Sequence, residues 1–215
     1  MMTTKHTPAI RKRLDDFLST CTKESLHNAF QETWLNDIVP GIKELEGCDQ
    51  GSKIHLEGDV AVHTALVFEN LTATSLSRLG REPDFIERLS VVLHDLRKPD
   101  TREPQPDGSV WFPGHEAMAA EDVPQIAKTL GLSKEETDRL LFIVARHGDA
   151  HGLPELSQSQ KNELTTSPWK ISLALLQEAD ARSCLLTGGT YLPVYWSEIV
   201  GDTKVEQTNP AEQEL

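Results

Sequence analysis

Apolar residues along this chain recur three and four positions apart far more often than they alternate. Between Pro8 and Phe30 the spacing of Ile10, Leu14, Phe17 and Leu18 predicts helix. The run from Trp34 to Leu45 predicts another short helix, broken at Pro40-Gly41. A polar, glycine-rich loop, EGCDQGSK, follows. Then DVAVHTALVFENLTATSLSRL predicts a long helix with Val60, Ala61, His63, Thr64, Val67 and Leu71 at inward-facing spacings and Asp59 as its N-cap. PDFIERLSVVLHD predicts a buried helix that starts at Pro83 and ends before Pro99, which has no N–H to continue it. The stretch from Pro99 to Pro113 reads as a polar loop. GHEAMAAEDVPQIAKTLGL opens a further helix, Ser133 and Glu136 make a capping box for KEETDRLLFIVARH, and Ser167-Pro168 introduces the helical WKISLALLQEADARSCLL. No strand alternation is convincing, and GTYLPVYW is the one ambiguous piece. With no repeat and no sustained heptad seam, the expectation is an all-α globule rather than a coiled bundle. It is read as one domain over residues 1–200, with a core at 40–186 and N-terminal helices at 8–38 packed on it. Residues 201–215, almost devoid of apolar side chains, read as a disordered tail.

Composition agrees with a folded, water-soluble chain: of 215 residues, 26% are charged and 38% hydrophobic. Runs such as LLFIVA and ISLALL are too short to span a bilayer. The opening MMTTKHTPAIRKRLDD has no apolar core or small-residue cleavage site, so no secretory signal is read there. Cys21, Cys48 and Cys184 are too scattered for a disulfide framework or a CxxC metal pattern, and a reducing cytoplasm is the expected setting. A net charge of −13 argues against a long nucleic-acid-binding surface, which needs many cations against many phosphates. A small phosphorylated substrate or an RNA end remains compatible, because it needs only a few local cations.

The histidines change the picture. His63 lies on the apolar face of the long helix, His94-Asp95 end the next, His115 follows Gly114 at the start of a third, and His147 ends a fourth. Asp180 sits in the apolar stretch LLQEADARSC, four residues after Leu176, where an unpaired carboxylate would be costly. Helices that each carry such a residue can bundle into a metal site. Mixed imidazole and carboxylate donors suit Mn, Fe, Co, Ni or Zn, and carboxylates with water can hold Mg. One such ion lowers the pKa of a water and polarises a phosphoryl oxygen, and two at roughly 3.5–4 Å can clamp both oxygens of a displacement. Lys98, Arg102 and Arg182 lie within a few positions of these residues and are expected to hold phosphate oxygens. Singly, each residue has an ordinary reading. His94 suits a helix C-terminus, His147 can cap carbonyls, and Gly114-His115-Glu116 can simply start a helix. Their joint order favours the metal.

That order, His63, His94-Asp95, His115, His147, Asp180, resembles the H…HD…D signature of the HD-domain metal-dependent phosphohydrolases. The segments GCDQGSKIHLEGDVAVHT, LHDLRKPDTR, FPGHEAMAAEDV, VARHGDAH and LLQEADARSC are similar to the C-terminal HD domain of bacterial tRNA nucleotidyltransferases, over about Pro40 to Leu186. The resemblance implies a helical HD fold and hydrolysis of phosphoesters of nucleotides or RNA ends by metal-activated water, as a 2′,3′-cyclic phosphodiesterase, a phosphatase or both. It implies His63, His94, Asp95 and Asp180 as ligands of one or two divalent ions. His115 and His147 match the extra histidines that support a second ion or the substrate phosphate, and can serve as proton donors. Lys98 matches the lysine of HD-x-x-K. His55, Glu57 and Asp59 match H-x-E-G-D, with Glu57 and His55 expected to line the pocket and Asp59 to cap its helix. Arg97 stands where relatives carry glycine. The nucleotidyltransferase head is missing, so nucleotide addition is not expected. Trp111, beside the expected site, is a candidate base-stacking platform, and His6 and His27 read as surface residues. Two alternatives stay open: a nucleoside mono- or triphosphate hydrolase unrelated to RNA, and a non-catalytic nucleotide-sensing HD module.

Overall fold

The computed structural model describes residues 7–51, 53–186 and 188–201; His6 and the stretch 202–215, read above as a tail, lie outside them. The fold is all-α. Helices α1 (Thr7–Thr20), α2 (Lys23–Ala29) and α3 (Thr33–Ile38) lead through a 3₁₀ turn at Ile42–Leu45 to the long α4 (Val60–Leu79). Then come α5 (Phe85–Leu93), the single turn α6 (Lys98–Thr101), α7 (His115–Leu130) and α8 (Lys134–His151). The chain closes with α9 (Gln158–Thr166), α10 (Lys170–Ala181) and α11 (Trp196–Val200).

Local signals set most boundaries. Asp59 caps α4 by accepting from Val62 N–H at 2.9 Å, and also takes Gly47 N–H at 2.7 Å. Asp84 with Glu87 and Ser133 with Glu136 form reciprocal capping boxes on α5 and α8. Pro83 therefore precedes the cap of α5 instead of starting the helix. Two elements differ from expectation. Pro99 does not open a loop, because it sits in the first turn of α6, where no N–H is required. The segment after it forms a small antiparallel hairpin, β1 (Glu103–Pro104) with β2 (Val110–Trp111), and Ser109 bridges back to Gly51.

At the centre, α4 and α8 both pack against α10 and α5. α7 lies against α8, α2 against α4, and α1 against α7 and α5. Every residue of α5 is buried, as is every residue from Ser172 to Ala181 of α10. A satellite core of Ala150, Leu153, Leu164, Leu173, Ala174, Ile199 and Val200 fills the space under α9 and α11. Among the described residues, no helix is long and apolar enough to cross a membrane.

Candidate metal centre

Five elements bring their polar residues to one buried point: His63 from α4, His94 and Asp95 from the end of α5, His115 from α7, His147 from α8 and Asp180 from α10. His63 and His94 are fully buried, and Asp95 is 2% exposed. Asp95 stands between two groups. Its Oδ2 lies 3.1 Å from His94 Nε2 and 3.6 Å from His63 Nε2, while its Oδ1 lies 3.2 Å from His115 Nε2 and 3.7 Å from His147 Nε2. His63, His94 and Asp180 form one trio of potential metal ligands and Asp95, His115 and His147 a second; a third, His55, His63 and Cys184, shares His63 with the first.

The ring orientations are fixed from behind. Nδ1 of His94, His115 and His147 faces the carbonyl oxygen of Val91, Phe112 and Val144 respectively, each at 2.8 Å. A carbonyl only accepts, so Nδ1 carries the proton, and in the neutral ring Nε2 presents its lone pair to the centre. His63 follows the same rule with a carboxylate, Nδ1 lying 2.9 Å from Glu57 Oε1. Such rear contacts hold ligating histidines in metal sites.

Three observations show that this centre fits a cation. First, His63 Nε2 and His94 Nε2 are buried without a hydrogen bond, although His63 Nε2 is only 3.0 Å from Asp180 Oδ1. These atoms converge without being aligned as donor and acceptor, and buried polar groups are rarely left so. Second, His115 Nε2 and His147 Nε2 are 3.2 Å apart. With both Nδ1 atoms committed to carbonyls, two lone pairs would face each other unless a proton or a metal ion lies between them. Third, among the described residues the buried carboxylates of Asp95 and Asp180 meet one permanently charged side chain, Lys98, whose Nζ is 2.7 Å from Asp95 Oδ2. Buried charge of one sign needs compensation.

The electrostatics follow from these contacts. Burial alone would raise Asp95, but its neighbours His94, Lys98, His115 and His147 outweigh it and hold the carboxyl well below the usual carboxylate range. Asp180 is likewise held down against burial, by His151 and His63. Burial pushes His63 down, yet Asp180 and Glu57 outweigh it and lift the ring to about 9, so that without a metal ion a proton would hold Nε2, the position a metal would take. Lys98 is raised in spite of its burial, by Asp95 and Asp180, and stays charged.

The other expected site residues lie around this cluster. Glu57 stands behind His63: Oε1 meets His55 Nδ1 at 2.8 Å as well as His63, and Oε2 accepts from Leu185 N–H at 3.0 Å. His55 reaches it from a left-handed backbone conformation, φ 64°, uncommon for a residue with a side chain. Arg102 and Arg182, expected to hold phosphate oxygens, are each ion-paired to an acid outside the cluster. Arg102 meets Asp49 at 2.7 Å, and Arg182 meets Glu178 at 2.7 Å. Arg97 has φ −103°, so nothing in its backbone calls for glycine; its guanidinium forks onto Asp122 at 2.6 and 2.8 Å and ties the start of α6 to α7. Trp111 is 61% exposed on β2, next to Phe112, whose ring lies 5.2 Å from Lys98 Nζ.

Sequence reasoning left two contributors outside the centre. His151 Nε2 lies 2.8 Å from Asp180 Oδ2; its position one helical turn after His147 was the available signal. Cys184 donates its thiol to Asp180 Oδ1 at 3.2 Å, again one turn on. Comparison of the chain with models of known protein families and with curated proteins finds no significant match to either.

Proposed function

We propose that this protein is a metal-dependent phosphohydrolase acting on phosphoesters of nucleotides or RNA ends. The observation that carries the reading is the pair of buried ligand trios, His63–His94–Asp180 and Asp95–His115–His147, whose Nε2 atoms converge on a carboxylate placed between them. Held there, one or two divalent ions would supply Lewis acidity toward a phosphoryl oxygen and would lower the pKa of a water so that hydroxide is available as nucleophile. The chain's own groups do the rest. Glu57, Val91, Phe112 and Val144 aim the four rings. His151 and Cys184 hold the two oxygens of Asp180. Lys98 stays charged in a buried position, where charge on a phosphoryl oxygen is stabilised most strongly. The exposed indole of Trp111, one residue from the Phe112 ring that covers Lys98, supports a base-bearing substrate over a simple phosphate. The net charge of −13 supports a small substrate over a long polymer.

The test is a panel of nucleoside 2′,3′-cyclic phosphates, nucleoside mono- and triphosphates and RNA ends, offered to protein of measured metal content. Metal-dependent turnover that disappears in Asp95→Ala supports the reading, and the preferred member names the substrate class. No turnover of any member with Mn, Fe, Co, Ni, Zn or Mg refutes it.

A further inference from the structure

Gln50 belongs to none of the ligand positions read from the sequence, yet its surroundings are unusual. It is 3% exposed. Its Oε1 accepts a hydrogen bond from Lys98 Nζ at 2.9 Å. An ammonium only donates, so this contact decides which end of the amide faces Lys98. The other end, Nε2, is therefore fixed as well, and it is buried with no acceptor. Because Nε2 shares a carbon with Oε1, its N–H groups stand beside a buried ammonium that is itself 2.7 Å from Asp95 Oδ2.

The backbone around Gln50 is built to keep this placement. On one side Arg102 donates from Nε to the Asp49 carbonyl at 2.8 Å and from Nη2 to Asp49 Oδ2 at 2.7 Å. On the other side Gly51 bridges to Ser109 of the hairpin. Gly51 has φ +89°, and a Cβ there would stand 3.0 Å from both Gly108 O and Val110 N. The approach of loop to hairpin is thus open to glycine alone. Both neighbours of Gln50 are anchored, which fixes the backbone from which its amide reaches Lys98.

An amide donor held without an acceptor, next to a fixed positive charge and at the rim of a ligand cluster, has the chemistry of an oxyanion site. We propose that Gln50 and Lys98 form a phosphoryl-oxygen subsite, in which Gln50 is a substrate-binding residue donating its amide N–H to a non-bridging oxygen. The proposal rests on the phosphoester reading above and adds the group that would orient the phosphoryl oxygens. It also gives Arg102 a place in the site at one remove, as the residue that positions the Gln50 loop.

The experiment titrates inorganic phosphate into the full chain of measured metal content by calorimetry. Gln50→Glu keeps an acceptor toward Lys98 and replaces the N–H donors with a carboxylate oxygen; Gln50→Leu removes both polar ends. The expected result is phosphate binding weakened about tenfold to a hundredfold in both variants, the range for a hydrogen bond to a charged group, with metal content and circular dichroism unchanged. Phosphate affinity within twofold of wild type in Gln50→Glu overturns the subsite. Loss of metal in both variants overturns it too, since Gln50 would then act on the centre itself. So does metal-loaded wild-type protein that binds no phosphate. The two proposals fail separately: Gln50-dependent phosphate binding without turnover of any phosphoester supports the subsite and refutes the proposed function.

Discussion

Asparagine at position 95 keeps the size and shape of the aspartate and removes its charge, which makes Asp95→Asn the perturbation that separates two accounts of the buried cluster. In one account the cluster is a metal site; in the other it is only a network of ion pairs. Asp95 is 2% exposed and Lys98 6%, with 2.7 Å between Oδ2 and Nζ. Neutralising Asp95 leaves the ammonium buried with the Gln50 carbonyl as its hydrogen-bonded partner, and breaking a buried pair in this way costs about 3–5 kcal/mol. Adding Lys98→Met removes the orphaned charge and recovers most of that loss, because apolar replacement of a whole buried pair is often neutral or stabilising. Both accounts share this part. They divide over the metal. A resident ion at a free concentration a hundred times its Kd stabilises the wild type by about 2.7 kcal/mol, which a chelator removes. Urea unfolding followed by circular dichroism, with and without chelator, reads the stabilities, and plasma mass spectrometry reads the metal per chain. The expected pattern is a chelator-sensitive wild type, a destabilised and metal-free Asp95→Asn, and a double variant that folds well, holds no metal and ignores chelator. A wild type indifferent to chelator, with metal content unchanged in Asp95→Asn, would refute the metal account.

Two further predictions bear on what supports the centre and what supports the fold. Glu57→Gln, which weakens the anchor on His63 Nδ1, lowers metal affinity about 10–100-fold with little change in unfolding midpoint; a competition titration against a chromophoric chelator checks it, and unchanged affinity would remove Glu57 from the centre. Glu87 is 1% exposed and accepts from Arg81 at 2.8 Å twice, from Arg139 at 2.9 Å and from Ser172 at 3.1 Å. Burial would raise its carboxyl, but Arg81, the Asp84 N–H and Arg139 lower it below its ordinary 4.5. The stability it contributes is therefore present above pH 4.5 and lost as pH falls through the depressed value. Glu87→Gln is expected to cost about 3 kcal/mol at neutral pH, with the gap to wild type closing in acid; a gap independent of pH would show that the charge is not what matters.

The helices legible in the sequence were those whose signals are local. Asp59, Ser133 and Glu136 cap from within four residues of what they satisfy, and the spacings of α4 and α10 declare their buried faces without reference to anything distant. The hairpin was hidden because Pro104 and Pro106 argue against strand and its tie to Gly51 lies far back in the chain. Helix α9 was hidden because QSQKNELTT buries only Leu164. The centre was legible as an ordered set, since six ligand-type residues at helix ends or on apolar faces form a pattern that single residues do not. Its supports were not. Gln50 meets Lys98, and His151 meets Asp180, only through tertiary packing. The partners of Arg102 and Arg182 were not legible either, because a guanidinium pairs with the nearest carboxylate in space, here Asp49 and Glu178.

Three of the four rings at the centre take their aim from a carbonyl three residues earlier in their own segment. Each donor is thus set by a few residues of local backbone, before any helix meets another. At these three rings the tertiary fold adds spacing, while His63 and Asp180 also take their orientation from Glu57 and His151. A bound ion would then work as a gauge of helix docking: small separations of α7 from α8, or of α5 from either, would move His94, His115 and His147 apart while each of the three rings stayed correctly turned. Loosened packing far from the centre would register first as a faster metal off-rate and only later as unfolding.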